Sequence, residues 1–342
     1  MAREGLSALL VSLDANRYYL SGFELHDVQV DESAGYLLVQ GSGEDWIFTD
    51  SRYLDTARRL WDEGRISIYP GLASAAEHIN KFCRERAIGR VGFEAKLMTV
   101  AFYDKFKDGL ELAPGDGLVE ELRVIKDSDE IRRMEESAAL NHALMDWVPG
   151  ILIPGRAEKD IAWEIEKFFR ERGATENAFS PIVAVGPNAA LPHAIPGDTL
   201  IADNCPVLVD VGARLNDYNS DQTRTFWVGD KPTSEFLRTM DLVREAQERA
   251  IAGIGPGVPC NEVYALAKNY LDANGVGEFF THGLGHGVGL QTHEAPSLGA
   301  KSARPLQSGM VVTVEPGLYY PEWGGIRWEY MILVTENGCR VL

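Results

Sequence analysis

The sequence predicts an α+β protein of two domains, a smaller α/β domain over residues 1–122 and a larger α+β domain over residues 123–342. The chain has 342 residues, which corresponds to about two domains at roughly 100–200 residues per domain. Its first third alternates short apolar runs with amphipathic stretches. The remainder combines longer amphipathic helices with β-branched runs that glycine and proline interrupt.

The elements of the N-terminal domain follow from hydrophobic periodicity. Apolar runs predict strands at residues 8–13, 36–40, 46–49 and 66–69. Amphipathic spacing predicts helices at residues 74–86 and 99–107. The domain boundary is expected near residues 123–126, because Asp127 and Glu130 form a capping-box pattern that opens the next helix.

In the C-terminal domain, three further helices are expected near residues 157–172, 233–253 and 260–274. The first of these follows the helix breaker Pro154-Gly155 and carries an apolar face. Between and after the helices, β-branched runs predict strands at residues 206–213, 222–228, 310–315 and 326–335.

Charge and composition exclude several classes of partner. The 33 lysines and arginines against 51 aspartates and glutamates give a net charge of −18, which repels nucleic acid and anionic lipid. No apolar run is long enough to span a membrane, and Asp14 and Arg17 interrupt the N-terminal stretch before a signal-type apolar core forms. The four cysteines form no C-x-x-C pair, which is typical of reduced thiols. A cytoplasmic protein without nucleic-acid or membrane partners is therefore expected.

An aspartate in an apolar strand marks the first candidate site. Asp210 lies inside the run 207–211, where a lone carboxylate loses its hydration and needs a partner. Asp221 begins the next β-type run, and the turn-like stretch between the two acids predicts a hairpin centred near Leu215 and Asn216. This hairpin would set Asp210 and Asp221 opposite each other on one face.

A second hairpin repeats this design. Glu315 ends the run 311–315 and Glu329 lies in the run 326–334, with turn residues 322–325 near their midpoint. Each acid alone is more often an edge or solvated residue, but two mirrored acid pairs in one domain are not expected by chance. Like charges at this separation need a proton or a cation between them, so the four acids predict a metal site.

Histidine completes the candidate donor set. His286 projects from the glycine-rich segment 282–289, which fits neither the dinucleotide fingerprint nor a Walker loop. One imidazole with four carboxylates suits a divalent pair such as Mn²⁺, Co²⁺ or Zn²⁺. His293 lacks the second histidine of the H-E-x-x-H motif, and His193 lies on a proline-flanked loop. Each of these two alone is more often a surface residue.

Taken in order, these residues resemble the pita-bread metallopeptidases. Within that group the chain is similar to the Xaa-Pro dipeptidases, or prolidases, which carry a creatinase-like N-terminal domain. The matching set comprises Asp210, Asp221, His286 within residues 285–289, Glu315-Pro316-Gly317 and Arg327-Trp328-Glu329. The resemblance covers nearly the whole chain. It implies a creatinase-like domain over residues 1–122 and a pita-bread catalytic domain over residues 123–342.

The resemblance also implies how two divalent metal ions would be held. Asp210 would chelate one ion. Asp221 and Glu329 would bridge both ions, and His286 and Glu315 would hold the second. A two-metal site lowers the pKa of a bridging water, so that hydroxide attacks the scissile carbonyl near neutral pH.

Four residues would assist the cleavage of an Xaa-Pro dipeptide. By resemblance, Glu315 would carry the proton to the leaving proline nitrogen. His193 and His293 would stabilise the tetrahedral intermediate and orient the substrate. Arg327 would neutralise the carboxylate cluster from behind the ligands. Relatives are commonly dimers, so a homodimer is expected.

Two positions depart from the family's pattern. Many relatives continue the H-E-x-P segment with an arginine that holds the substrate's C-terminal carboxylate, whereas Ser297 follows Pro296 here. Lys301 and Arg304 are the candidate replacements. The acid that usually follows the last ligand is here Tyr330, which alters a contact behind the metal ligands.

Two other interpretations stay open. Aminopeptidase P shares the fold and acts on longer peptides with proline second, although the short N-terminal domain and the lack of an insertion between Gly289 and His293 favour a prolidase. A non-catalytic pita-bread binding protein is the other alternative. Such proteins lose ligands, and this sequence keeps all five.

The segment 22–34 is the last candidate. It is acidic where a short connection would suffice, and Asp27, Asp31 or Glu32 is expected to pair with the substrate's free amino group. The alternative is an ordinary solvated loop.

Overall fold

The computed structural model describes residues 1–27 and 32–342. Its contacts divide the chain into two compact units, Met1–Arg123 and Val124–Leu342. Among the described residues, no helix combines the length and the apolar character needed to cross a membrane.

A mixed sheet forms the centre of the N-terminal unit. Its strands are β1 (Ala8–Val11), β2 (Gly35–Gln40), β3 (Trp46–Thr49), β4 (Ile66–Ile68), β5 (Val91–Phe93) and β6 (Leu112–Pro114). The sheet order is β4-β3-β2-β1-β5-β6. Strand β1 runs parallel to β5 and antiparallel to β2. The helices of this unit are α1 (Asp14–Ser21), α2 (Leu54–Leu60), α3 (Ala75–Glu85), α4 (Val100–Phe106) and α5 (Glu120–Arg123).

The helices that the sequence predicts in this unit are those with a clear apolar face. Helix α3 buries Ile79, Phe82 and Cys83 in one cluster of the core. Helix α1 is absent from the predicted elements, because it is only eight residues long and two of its three buried residues, Asn16 and Arg17, are polar.

Four long helices belong to the C-terminal unit: α6 (Ser128–Trp147), α7 (Glu158–Glu171), α8 (Ser234–Ala252) and α9 (Cys260–Ala273). The expected capping box opens α6: Asp127 accepts hydrogen bonds from the backbone of Glu130, whose carboxylate accepts from the Asp127 N–H. The predicted apolar face of α7 is buried, including Ile161, Ile165 and Phe169.

Antiparallel strands form the rest of the C-terminal unit. They are β7 (Glu176–Asn177), β8 (Ile182–Val185), β9 (Cys205–Val211), β10 (Ala213–Leu215), β11 (Tyr218–Asn219), β12 (Gln222–Val228), β13 (Gly285–Gly287), β14 (Glu294–Leu298), β15 (Val311–Val314), β16 (Gly317–Tyr320), β17 (Gly324–Arg327), β18 (Tyr330–Thr335) and β19 (Gly338–Val341). The sheet orders are β12-β9-β8, β14-β13-β15-β18-β19, β11-β10-β7 and β16-β17.

The first predicted hairpin forms with a different register. Strands β10 and β11 pair Leu215 with Tyr218, so the turn residues are Asn216 and Asp217, with φ of 52° and 73°. Asn and Asp tolerate the positive φ that a two-residue hairpin turn requires. Asp210 therefore lies opposite Thr223. The prediction that Asp210 faces Asp221 directly is wrong, and Asp221 lies two positions further along the strand.

The second predicted hairpin has the expected register. Val314 pairs with Tyr330 in β15 and β18, and Gly317 pairs with Arg327 in β16 and β17. These two pairs place Glu315 opposite Glu329, in the interval between the two ladders.

Candidate metal centre

A cavity of about 620 Å³ within the C-terminal unit collects the predicted site residues. Its lining includes all five candidate ligands, Asp210, Asp221, His286, Glu315 and Glu329. His193, His293 and Arg327 line the same cavity. The rest of the wall is largely apolar and includes Phe179, Pro181, Ile182, Pro192 and Ile195.

Strands β9, β12 and β13 position three of the candidate ligands at this cavity. Asp210 lies in β9, whose residues are all buried, and Asp221 directly precedes β12. His286 is the central residue of β13, a strand that packs closely against its neighbours. A Cβ on Gly285 would lie 2.0 Å from the Thr313 carbonyl oxygen, and one on Gly287 would lie 2.2 Å from that of Ala295. Glycine on both sides of His286 is thus a packing requirement.

Three candidate ligands form the tightest group. Ligand atoms of Asp221, His286 and Glu329 all lie within 4.8 Å of one another. His286 Nε2 is 3.6 Å from Asp221 Oδ2 and 3.3 Å from Glu315 Oε1. Carboxylates and an imidazole at these separations can share a divalent cation.

Arg327 balances the charge of Asp210. Its Nη2 donates to Asp210 Oδ2 at 2.6 Å, and its Nη1 donates to the Tyr319 hydroxyl at 2.8 Å. The Tyr319 hydroxyl is 2.8 Å from His282 Nε2. Sequence reasoning missed Tyr319 and His282 as members of this network. The one signal was the position of His282 in the glycine-rich segment, four residues before His286.

Two carboxylate oxygens of the cluster are buried without a hydrogen-bond partner: Asp210 Oδ1 and Glu329 Oε1. The second oxygen of Glu329 accepts from the Thr223 hydroxyl at 2.7 Å. Buried carboxylate oxygens are normally hydrogen-bonded, so these two oxygens fit coordination of a cation.

Burial and mutual repulsion favour the protonated acids here. The pKa of Asp221 is raised well above its usual value by burial and then by Glu329, Asp210 and Glu315. The pKa of Glu329 is raised by burial and by Glu315 and Asp210. Burial raises the pKa of Glu315 to about 7, while Arg327 acts in the opposite direction. A divalent cation would offset this repulsion and favour the ionised acids.

His286 has the form that metal binding needs. Burial, followed by the neighbouring His293, lowers its pKa to about 4, so the imidazole is neutral near pH 7. Its Nδ1 lies 3.0 Å from the Gly287 carbonyl oxygen. A hydrogen bond from Nδ1–H to that carbonyl leaves the Nε2 lone pair facing the acids. The donor set therefore fits divalent metal.

The two other histidines lie beside this group. The ring of His293 is 4.3 Å from that of His286, centroid to centroid, in an edge-to-face arrangement. Burial lowers the pKa of His293, and His193 lowers it further. His193 and His293 therefore meet at the same cavity although 100 residues separate them.

The expected replacements for a carboxylate-binding arginine do not reach this cavity. Ser297 lines it and pairs with His286 across β13 and β14. Lys301 and Arg304 are not part of the lining. Within the described chain, Arg327 is the sole lysine or arginine in the lining, and it is bound to Asp210.

The acidic candidates of segment 22–34 belong to the N-terminal unit. Asp27 Oδ1 accepts from Arg17 Nη2 at 2.9 Å and from the Ala34 N–H at 2.7 Å. Glu32 lies 3.7 Å from the guanidinium of Arg52. Asp31 lies outside the described residues.

A buried group of carboxylates around a neutral imidazole suits a divalent metal ion, and comparison with known proteins identifies a class of metal-dependent peptidases. Residues 132–336 match metallopeptidase family M24, and residues 1–125 match the creatinase/prolidase N-terminal domain. The chain belongs to metallopeptidase family M24. The predicted two-domain α+β fold, with a pita-bread catalytic domain, is confirmed, as is the prediction of a metallopeptidase.

Individual relatives narrow the class further. The chain is 32% identical over 347 residues to an Xaa-Pro dipeptidase of Pyrococcus horikoshii. The alignment covers 100% of this chain and 94% of that protein. The solved structure of an Xaa-Pro dipeptidase from Bacillus anthracis matches with a TM-score of 0.92 at 35% identity, over 99% of this chain and 93% of that one. An X-Pro aminopeptidase from Thermotoga maritima matches with a TM-score of 0.86 at 29% identity, over 98% and 95%.

Proposed function

We propose that this metallopeptidase hydrolyses the Xaa-Pro bond of dipeptides. The observation that carries the proposal is the buried donor set, in which Asp210 Oδ1 and Glu329 Oε1 lack a hydrogen-bond partner beside a neutral His286. The similarity to Xaa-Pro dipeptidases over nearly the whole chain supports the choice of substrate.

Two divalent ions per chain, Mn²⁺, Co²⁺ or Zn²⁺, are proposed for this centre. Asp210 would hold one ion, His286 and Glu315 the other, and Asp221 and Glu329 would be shared. When bound, such ions supply Lewis acidity toward a peptide carbonyl and activate water for attack. The five side chains offer the oxygen-rich, mixed donor set that these metals accept.

The remaining residues act on the substrate and its protons. Glu315 lines the cavity with one oxygen held by the Thr313 hydroxyl at 3.1 Å, and it would pass a proton to the leaving proline nitrogen. His193 and His293 would donate to the oxyanion that develops during attack. Arg327 would orient Asp210 and offset its negative charge through their 2.6 Å ion pair.

The apolar wall suits the substrate's proline ring. Pro181, Ile182 and Pro192 line the cavity together with the exposed Ile195. A proline ring buried against this wall gains hydrophobic free energy. The tertiary amide of an Xaa-Pro bond also brings no N–H group that would need an acceptor.

A second candidate function is favoured by the residues around Ser297. A dipeptide presents a free carboxylate after proline, yet the one guanidinium in the described lining is already bound to Asp210. A longer peptide presents a neutral amide there. An Xaa-Pro aminopeptidase activity on longer peptides is therefore the alternative, and the similarity to such an enzyme supports it.

Steady-state kinetics on Met-Pro and on Met-Pro-containing tripeptides, each titrated with Mn²⁺, tests the two activities. A dipeptidase gives a higher kcat/KM on Met-Pro, and an aminopeptidase gives a higher kcat/KM on the tripeptides. If neither peptide is hydrolysed, both proposed functions are contradicted. The variant Ser297→Arg adds a cation at the lining, and Ser297→Ala is its matched control. Only Ser297→Arg is expected to shift the preference toward Met-Pro, by about tenfold or more.

We further propose a homodimer that works in the cytoplasm, with domains over residues 1–122 and 123–342. The four free cysteines, three of them buried, suit a reducing compartment. Light scattering behind size exclusion tests the dimer, and a mass of one chain would contradict it.

One of the acidic residues Asp27, Asp31 or Glu32 is proposed to pair with the substrate's free amino group and to exclude longer peptides. Asp27 is already bound to Arg17, so Asp27→Ala is expected to reduce stability as well. Asp31→Ala and Glu32→Ala should raise KM for Met-Pro. If all three variants match the parent on Met-Pro and on a longer Met-Pro peptide, the segment is an ordinary surface loop.

A further inference from the structure

Arg224 is a buried cation on the opposite side of the strand from the candidate ligands. It lies in β12 and is only 6% exposed. Its Nη1 donates to two backbone carbonyl oxygens, that of Glu329 at 2.5 Å and that of Thr223 at 2.7 Å, and the Tyr330 side chain is a further hydrogen-bond partner of the guanidinium. Because none of these contacts is an ion pair, the buried guanidinium needs further stabilisation.

Two aromatic rings supply that stabilisation. The Arg224 guanidinium carbon lies 4.3 Å from the centroid of Trp328 and 4.1 Å from that of Tyr330. These residues flank Glu329 in the sequence, and side chains next to each other along an extended segment point to opposite faces. The rings therefore hold Arg224 on one face, while Glu329 points to the cavity on the other.

Thr223 and Arg224 together form hydrogen bonds with three groups of Glu329: its N–H, one carboxylate oxygen and its carbonyl oxygen. The Glu329 N–H donates to the Thr223 carbonyl at 3.1 Å, and the Thr223 hydroxyl donates to Glu329 Oε2 at 2.7 Å. Arg224 holds the Glu329 carbonyl oxygen. The carboxylate oxygen Oε1 is left without a partner and faces the cluster. The backbone and one carboxylate oxygen of Glu329 are thus fixed before any ion binds.

We propose that Arg224 is a positioning residue for Glu329, held between Trp328 and Tyr330, and that this arrangement sets the affinity of the centre for divalent metal. The guanidinium fixes the backbone of the ligand, and its positive charge lies behind the carboxylate cluster. Tyr330 makes this possible because it presents an aromatic face, so that the charge of Arg224 is not paired with a neighbouring acid. The inference rests on the proposed metal centre.

Isothermal titration of the metal-stripped full-length protein with Mn²⁺ tests the proposal. Arg224→Met removes the donors and the charge, and we expect the Kd for Mn²⁺ to rise by about tenfold to hundredfold, the usual effect of losing a group that orients a ligand. Arg224→Lys keeps the positive charge but lacks the planar guanidinium group, and should raise the Kd for Mn²⁺ by a smaller factor. Tyr330→Leu removes one aromatic face together with the hydrogen bond of Tyr330 to Arg224, and should weaken binding severalfold.

Arg244→Met is the matched control. Arg244 also lies over Trp328, with its guanidinium carbon 5.2 Å from the ring centroid, but it is exposed. The control should bind Mn²⁺ with the parent's Kd. A purely structural role of Arg224 would lower the Tm of the metal-stripped protein and leave the Kd of the folded variants unchanged.

The outcomes separate this inference from the metal centre itself. If the parent binds Mn²⁺ and the folded variants Arg224→Lys and Tyr330→Leu bind it equally well, the positioning role is wrong and the centre stands. If the parent takes up no Mn²⁺, the proposed centre is wrong and this inference falls with it. Because Tyr330 is half-buried, Tyr330→Leu is expected to fold even if Arg224→Met does not.

Discussion

Glu94 in the N-terminal unit and Glu329 in the C-terminal unit are both buried carboxylates, but their surroundings differ. Glu94 is 2% exposed and Glu329 is 1% exposed. Glu94 Oε2 accepts from the N–H groups of Ser12 and Leu13 at 2.5 and 2.6 Å, and the Ser12 hydroxyl adds a third bond at 2.9 Å. Its Oε1 accepts from Asn16 Nδ2 at 2.6 Å. Both oxygens of Glu94 are thus satisfied.

Glu329 is held more sparsely. Its Oε2 accepts from the Thr223 hydroxyl, and its Oε1 is buried without a hydrogen-bond partner. Three further candidate ligands with carboxylates surround it, whereas Glu94 is surrounded by donors. Burial raises the pKa of both residues, and neighbouring acids raise that of Glu329 further.

The difference indicates two uses of a buried acid. A carboxylate saturated by backbone and amide donors ties chain segments together, as Glu94 ties residues 12–16 to β5. A carboxylate with a free oxygen among other acids is destabilising by itself and becomes favourable only with a cation. In this chain an unsatisfied oxygen, rather than burial, therefore distinguishes the candidate metal ligand Glu329 from the structural acid Glu94.

The largest expected effect is on metal uptake. Glu329→Ala removes a proposed shared ligand, so the metal content should fall below two ions per chain. We also expect kcat/KM to fall by more than about a hundredfold, because losing a ligand should cost more than losing a residue that only hydrogen-bonds a ligand. Metal analysis by mass spectrometry and peptidase assays measure these changes. Glu94→Ala is the matched control and should keep both ions. If Glu329→Ala kept two ions per chain and the parent's activity, Glu329 would not be a metal ligand and would not differ from Glu94 in this respect.

The next effect concerns cavity residues that are not proposed ligands. His193→Ala and His293→Ala should each bind metal like the parent and lose about 10²–10³ in kcat, because one donor to the developing oxyanion is gone. His78→Ala in the N-terminal unit serves as the control. Loss of metal in either cavity variant would instead identify that histidine as a ligand.

A smaller effect is expected for the structural acid. Glu94→Ala removes the acceptor of four hydrogen bonds from residues 12–16, three of them partly buried and one buried, so the free energy of unfolding of the N-terminal unit should fall by about 2 kcal/mol. Urea unfolding of the metal-loaded protein, followed by circular dichroism, gives this quantity. At urea concentrations below the unfolding transition, the specific activity of Glu94→Ala should match that of the parent. If Glu94→Ala lost activity with its stability unchanged, the acid would belong to a functional site.

The smallest effect is a pH dependence of the metal-stripped protein. The pKa of Glu315 is raised from 4.5 in the unfolded chain to about 7, so between these values the folded state binds more protons than the unfolded state. Stability should therefore fall as the pH rises from about 4.5 to about 7. Glu315→Gln replaces the carboxyl group with an amide that does not titrate, so its stability should vary less with pH between about 4.5 and about 7. Thermal unfolding at several pH values, with and without Mn²⁺, measures it, and saturating Mn²⁺ should reverse the fall.

Local patterns in the sequence determined the helices and the candidate ligands. Asp127 and Glu130 predict the start of α6, and the spacing of Ile161, Ile165 and Phe169 predicts the buried face of α7. These signals act over a few residues, within one or two helical turns. The ordered acids and His286 also carry enough pattern to indicate a metal centre and the family.

Tertiary structure decided the details of the site. The turn at Asn216 and Asp217 moved Asp221 two positions from the expected partner, because turn conformation sets the register of a hairpin. The contacts from Arg327 to Asp210 and from Arg224 to Glu329 join residues 117 and 105 positions apart in the chain. No periodicity or spacing encodes such pairs. They form only when separate strands bring their side chains to one face, and there the packing of the whole unit selects the partner.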